Sequence, residues 1–316
     1  MFTRRYFGQL ALASLPVTGG LYGASKKLSS RIRGVRIGVA TYSYNSLPRQ
    51  GLTDAVIRSM TDTGIGSCLL NPPPTEPAEL SEKARPAPAA RGPVSAEQAA
   101  NIEALHHWHL TASLDYYTAL RKKFTDAGLT IDMYQPTPLA APVSDDDLNR
   151  ACEVTKVLGA PCMAGAFTRS AAKRLAPMAE QHGIKVALQG RPAMTSGDPD
   201  AMAKPADFEE AMGYSKNFGS SIDVGDATAA GWDVLRFIQD THPRVFSLNL
   251  KDRTKAGLSV PWGHGDSGIK EILQLIRDKK YPVICFIDCD YTTAEGGSRV
   301  ADVKRCFGYA RAALES

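Results

Sequence analysis

The fold class this sequence predicts is α/β, a (β/α)8 TIM barrel, and three observations point to it. Apolar, strand-like runs alternate with helical patterns eight times within about 280 residues, the size of one barrel domain. Seven of the eight runs stop abruptly at an amide, carboxylate, phenol or cation, polarity that a buried strand has no structural need for at its end. No Gly-x-Gly-x-x-Gly follows any strand, which counts against a doubly wound dinucleotide domain.

Residues 1–33 read as a leader and linker, and 34–316 as the barrel. The leader MFTRRYFGQLALASLPVTGGLYGAS has a charged beginning, an apolar middle and small residues near Ala24. Its middle is too short, and too broken by Pro16, Gly19 and Gly20, to make a stable membrane span. Thr3-Arg4-Arg5-Tyr6-Phe7 resembles the twin-arginine export motif, which implies a periplasmic or secreted protein. The formal charge is +4, but Arg4, Arg5, Lys26, Lys27, Arg31 and Arg33 all precede the first strand, so the body is close to neutral. A neutral body argues against a nucleic-acid partner, which needs a basic face on the domain itself.

In chain order, Val35 to Tyr44 is the first strand, rich in β-branched and aromatic residues. A helix over LTDAVIRSMTDT ends at Gly64, and Ile65 to Asn71 is the second strand. Residues 72–100 are rich in Pro, Ala and charge and read as an irregular insertion. Ser113 to Ala127 is a helix, followed by a strand ending at Tyr134 and Gln135. The helix Ser144 to Leu158 opens on SDDD, acids suited to a helix amino end. APCMAGAF is strand four, Ser170 to His182 a helix, and IKVALQG strand five, ending at Gln189. A helix over Pro205 to Asn217 leads into strands six and seven, which are joined by a polar loop and a helix. Helix Ile269 to Lys279, strand eight through PVICFIDCDY and helix Arg299 to Leu314 complete the chain. The six cysteines show no Cys-x-x-Cys spacing and sit in apolar runs or helices, so they read as small buried hydrophobes.

A barrel brings all its strand ends to one mouth. Those ends carry Tyr42 and Tyr44, Asn71, Tyr134 and Gln135, Gln189 and Arg191, Asp223 and Asp226, Asn249, Lys251 and Asp252, and Asp288 and Asp290. So many oxygen donors suit a hard divalent cation, Mg²⁺, Mn²⁺ or Ca²⁺. HHWH at 106–109 suggests a metal cluster by eye, but only His106 and His109 share a helical face, and a solvated loop or helix end explains them as well.

From Val35 onward the chain resembles the sugar phosphate isomerase/epimerase family, whose barrel is similar to xylose isomerase and endonuclease IV. The resemblance rests on D-V-G-x-A-T-A-A-G at 223–231, F-S-L-x-L-K-D-R at 246–253, P-W-G-x-G-D at 261–266 and I-D-C-D-Y at 287–291. It implies a divalent metal held after strands five to eight, at the positions of Gln189, Asp223, Asn249 and Asp288. Only Asp223 is the family residue. Gln189, Asn249 and Asp288 stand where the family has Glu or His, His and Glu; Asp226 stands for a His and His264 for a Glu. Amide ligands carry no charge and no base, so the metal is expected to be weakly held or absent.

The resemblance also implies proton transfer beside a carbonyl, with Asp288 as base, His264 as a replacement acid–base and Lys251 steadying an enediolate-like anion. Tyr42, Arg191, Asp226, Arg253 and Trp262 are the expected contacts to a small-molecule carbohydrate. Each has a bland alternative: His264 a surface turn, Lys251 and Asp252 a rim ion network, Trp262 a packing residue, and Asp290 an outer or solvent-facing group. The function expected is a sugar or keto-sugar isomerase or epimerase, or a related lyase. The alternative is a barrel that binds carbohydrate without turnover. An endonuclease is disfavoured by the neutral body and the missing zinc ligands. A homo-oligomer is left open.

Overall fold

Eight short parallel strands pair in sequence order and close on themselves. They are β1 Val35–Ala40, β2 Ser67–Leu70, β3 Thr130–Tyr134, β4 Cys162–Ala166, β5 Lys185–Gln189, β6 Phe218–Asp223, β7 Val245–Leu250 and β8 Ile284–Ile287. The closing pair is β8 against β1, with Cys285 opposite Ile37 and Ile287 opposite Val39. This is the expected (β/α)8 barrel, seen in a computed structural model that describes residues 27–85, 94–136, 143–190, 197–294 and 296–316. Residues 1–26, with the expected export signal, and Arg191 lie outside the described residues. No helix among the described residues is long and apolar enough to cross a membrane.

Alternation along the strands sorts their side chains into two cores. Leu69, Met133, Ala164, Ala187 and Phe286 fill the barrel interior. Ile37, Val39, Leu70, Val186, Leu248 and Ile287 point outward and pack under the helices. Each of these fully buried aliphatic side chains contributes roughly 1.5–3 kcal/mol of burial.

The outer layer is built from α1 Leu52–Thr63, α2 Ala78–Ala84, α3 Ala96–Thr111, α4 Leu114–Asp126, α5 Asp145–Val157, α6 Arg169–His182, α7 Pro205–Met212, α8 Val224–Ala229, α9 Val234–Thr241, α10 Ile269–Lys279 and α11 Arg299–Glu315. The SDDD start of α5 makes a capping box: Ser144 Oγ accepts from Asp147 N–H at 3.1 Å, and the Asp147 carboxylate accepts from Ser144 N–H at 2.9 Å.

Several local expectations are corrected. The first strand ends at Ala40, and Thr41–Tyr44 turn as a 3₁₀ segment, the hydroxyl of Thr41 accepting from the Asn71 backbone N–H at 2.8 Å. The polar loop expected after strand six is instead the short helix α8, opened by Asp223 itself as cap. The insertion at 72–100 is not simply irregular, since it holds α2 and the start of α3. It is fastened by Glu76, whose buried carboxylate meets Ser81 at 2.6 Å, Arg85 at 2.8 Å and His109 at 3.1 Å. Ahead of β1, Arg31–Ile32 pairs antiparallel with Val35–Arg36, extending the ordered body into what the sequence reads as linker.

Candidate active site

Period-two alternation decides which side chains reach the mouth. Ser221 and Ser247 face each other inside the barrel at 2.8 Å, and Ala187 and Phe286 belong to its apolar filling. Two residues further along the same strands come Gln189, Asp223, Asn249 and Asp288. The four expected ligand positions thus converge at the carboxyl end of the barrel, with Asp223 opposite Asn249 in the β6–β7 register.

The next inward position after Asn249 is Lys251, and its ammonium takes the centre of the group. Nζ lies 2.9 Å from Asp223 Oδ2, 3.6 Å from Asp288 Oδ2 and 3.6 Å from Asp290 Oδ2. Arg253 extends the cluster, with Nη1 2.7 Å from Asp226 Oδ1 and Nη2 2.8 Å from Asp290 Oδ2. Gly225 allows this approach, because a Cβ there would lie 2.9 Å from Lys251 Cβ and 3.0 Å from Arg253 Cγ. Four carboxylates therefore share two cations, and all six side chains are largely buried.

The charges set one another's proton affinities. Burial disfavours the charged form of Lys251, but Asp223, Asp288 and Asp290 outweigh it and hold the pKa well above its ordinary value. Burial pushes Asp288 up to about 6, with Lys251 opposing and Asp223 adding to the rise. Asp226 is raised by burial and by the neighbouring Asp223 charge. Asp290 goes the other way: Lys251 and Arg253 overcome its burial and hold it below the usual carboxylate range. One end of the cluster thus keeps a carboxyl poised to exchange protons near neutrality beside a permanent cation.

A divalent cation does not fit these residues. Asp223, the one retained family ligand, has both oxygens engaged, Oδ1 by the Asp226 N–H at 3.0 Å and Oδ2 by Lys251. The Gln189 amide donates to Ser221 Oγ at 3.2 Å. An ion bridging Asp223 and Asp288 would compete with the Lys251 ammonium for the same two carboxylates. Among the described residues no group of three or more His, Cys, Asp or Glu side chains is arranged to hold a metal. Two buried acceptors, Asn249 Oδ1 and Asp288 Oδ1, have no hydrogen-bond partner among the described residues.

The remaining expected residues divide. Tyr42 stands just past β1, the strand that pairs with β8, and is 42% exposed, its N–H donating to Asn71 Oδ1 at 3.0 Å while the Asn71 side-chain amide donates to Gln135 Oε1 at 2.7 Å. His264 is not brought to the cluster. It is an exposed turn residue whose N–H donates to the Pro261 carbonyl at 3.1 Å. Trp262 is buried edge-on against Tyr309 of α11, ring centroids 5.9 Å apart. Asp252 points away from Lys251 and fastens that loop by accepting from Gly263, Gly265 and Ser267 N–H groups at 2.7, 3.1 and 3.3 Å. Asp290, expected as an outer group, is a full member of the cluster. Its spacing two residues past Asp288, hence on the same face, was the signal for it. In HHWH, His106 pairs with Asp147 at 2.6 Å and His109 with Glu76 at 3.1 Å, different partners rather than one metal site. A cavity of about 280 Å³ lined by Lys27, Arg31, Arg36, Ser67 and Thr130 lies at the amino ends of the strands, away from this chemistry.

The family model described as "Xylose isomerase-like TIM barrel" matches residues 94–305, more than half of the chain. No curated protein matches it. Among solved structures, a sugar phosphate isomerase/epimerase from Parabacteroides distasonis ATCC 8503 is 15% identical with a TM-score of 0.57, covering 92% of this chain and 99% of that one. A xylose isomerase domain protein from Alicyclobacillus acidocaldarius subsp. acidocaldarius is 14% identical with a TM-score of 0.61, covering 89% and 100%. An L-ribulose 3-epimerase is 14% identical with a TM-score of 0.59, covering 89% and 96%. At these identities the likeness is one of fold.

Proposed function

We propose that this chain, which belongs to the xylose isomerase-like TIM barrel family, moves a proton next to the carbonyl of a sugar or keto-sugar and so isomerises or epimerises it. The observation that carries the reading is the Lys251 ammonium held among Asp223, Asp288 and Asp290 at the barrel mouth, beside a carboxyl with a pKa of about 6. Asp288 in its carboxylate form takes the proton from the carbon next to the carbonyl. The negative charge that develops on the carbonyl oxygen is met by Lys251, a fixed cation that needs no reorganisation at the moment of reaction. Returning the proton to the former carbonyl carbon, while the adjacent hydroxyl passes its proton to the former carbonyl oxygen, gives isomerisation; returning it to the opposite face of the original carbon gives epimerisation. Asp226, whose burial and neighbour keep its proton affinity raised, provides a second carboxyl for that return. Tyr42 offers a ring face for the sugar, and Asn71 and Gln135 offer amides for its hydroxyls. The proposal includes export to the periplasm, on the strength of the twin-arginine-like leader.

Incubation of the mature protein with a panel of aldoses and ketoses in D2O tests the reading. Deuterium should enter the carbon next to the carbonyl of at least one sugar, and Asp288→Asn should abolish entry. A sugar that binds with no exchange would instead assign the mouth to carbohydrate binding without turnover.

A further inference from the structure

Cys289 lies between Asp288 and Asp290, and its side chain points out of the mouth towards the closing helix. There its sulfur lies 3.5 Å from that of Cys306 on α11. Both residues are buried, and the Tyr291 hydroxyl is 3.9 Å from the Cys306 sulfur. All six cysteines are buried free thiols, and Cys68, Cys152, Cys162 and Cys285 lie in strands or helices without a sulfur contact like this one. The proton-transfer chemistry at the mouth makes no use of either thiol.

We propose that Cys289 and Cys306 form a reversible disulfide that fastens the site's β8 end to α11. A covalent bond needs the sulfurs about 2.05 Å apart. From 3.5 Å the gap to close is about 1.5 Å, less than a Cβ–Sγ bond length. The oxidant is a small-molecule or protein disulfide. One thiol, as thiolate, attacks it to give a mixed disulfide and releases one reduced thiol. The second thiolate then displaces the other half. In total two protein thiols lose two electrons and two protons, and the external disulfide becomes two thiols.

Two features give the bond a consequence. Its first sulfur is flanked in sequence by two carboxylates that hold Lys251, so the link anchors the segment on which both ride. Its second sulfur is buried on α11, which the segment after β8 also meets through the Tyr291 hydroxyl against Cys306 and through Thr293 Oγ1 donating to Asp302 Oδ2 at 2.7 Å. An oxidising compartment, where the leader would send the chain, is where such a bond persists. The inference stands on the sulfur geometry and does not depend on the activity proposed above.

The experiment uses the mature chain in glutathione buffers poised from reducing to oxidising. One sample is held native, and another is unfolded in urea and refolded in the same buffer, so that burial does not bar the oxidant. After alkylation, non-reducing peptide mapping should show a peptide pair joined through Cys289 and Cys306, two hydrogens lighter than the reduced pair. The other four cysteines should be fully alkylated. The oxidised protein should melt roughly 4–8 °C higher than the reduced one, and Cys306→Ala should lose both the link and the oxidant-dependent shift. Both thiols alkylated in both samples would overturn the proposal, as would links scattered among the other cysteines. If Cys306→Ala does not fold, Cys306→Ser is the matching control, and the wild-type mapping alone still decides.

Discussion

Replacing Lys251 by methionine keeps a side chain of similar length but removes the ammonium from three carboxylates at 2.9, 3.6 and 3.6 Å. With an effective dielectric near 20, each contact is worth about 4–6 kcal/mol before desolvation. Desolvation of the lysine cancels much of that, so the expected loss is about 3–5 kcal/mol, the usual cost of leaving a buried charge without its partner. The loss should depend on pH, and its sign follows from Asp288. Its folded-state pKa of about 6 lies above the ordinary 3.8, so its contribution is favourable below the lower value and is lost as pH rises through the upper one. Without the ammonium, that carboxyl and its neighbours take protons more readily still. The variant should therefore be most handicapped at pH 8 and recover part of the deficit towards pH 5. Urea unfolding of wild type and Lys251→Met from pH 5 to 8.5 measures this. Equal stability at pH 8, or a penalty that does not change with pH, would refute the electrostatic account of the cluster.

Other perturbations reach neighbouring parts of the fold. Glu76 is held at about 2 although burial opposes its charge, because His109, Arg85 and Ser81 bond it. It should contribute roughly 3 kcal/mol above about pH 4.5, lost as pH falls towards 2, so the stability gap between wild type and Glu76→Gln should close across that window in acid titrations. Gly225→Ala places a Cβ against Lys251 and Arg253, and deuterium exchange into the sugar should fall about tenfold or more while folding loses about 1–3 kcal/mol. Gly265→Ala would drive a Cβ to within 2.8 Å of the Arg253 carbonyl and even closer to the Asp252 carboxylate, so the loop at 261–267 should loosen, read as new protease sensitivity there and a lower melting temperature.

What was legible in the sequence follows from burial. A strand core has to be apolar, so Asp223, Asn249, Lys251 and Asp288 at strand ends marked the mouth directly, and their spacing along each strand placed them on one face. The pairing inside the mouth was not legible. Whether Lys251 reaches inward to Asp223 or outward to a rim partner depends on register between strands remote in sequence. The same limit explains His264, whose residue type suits proton transfer but whose turn faces solvent. Helix α3 escaped because Ala99, Ala100, Ile102 and Ala104 face outward and blur the 3.6-residue stripe. Its Ser95-x-x-Gln98 start, where Ser95 Oγ accepts from Gln98 N–H at 3.1 Å, was the local signal that could have found it.

The central claim is that Lys251 supplies the positive charge at this mouth, in a site whose retained family ligand is already engaged on both oxygens. The most direct measurement is solvent-deuterium exchange into the responsive sugar by protein stripped of divalent ions, with metal content determined on the same sample. Full exchange at far less than one ion per chain, together with loss of exchange in Lys251→Met, is the result expected. Exchange that vanishes on stripping and returns with Mg²⁺, Mn²⁺ or Ca²⁺ would contradict it.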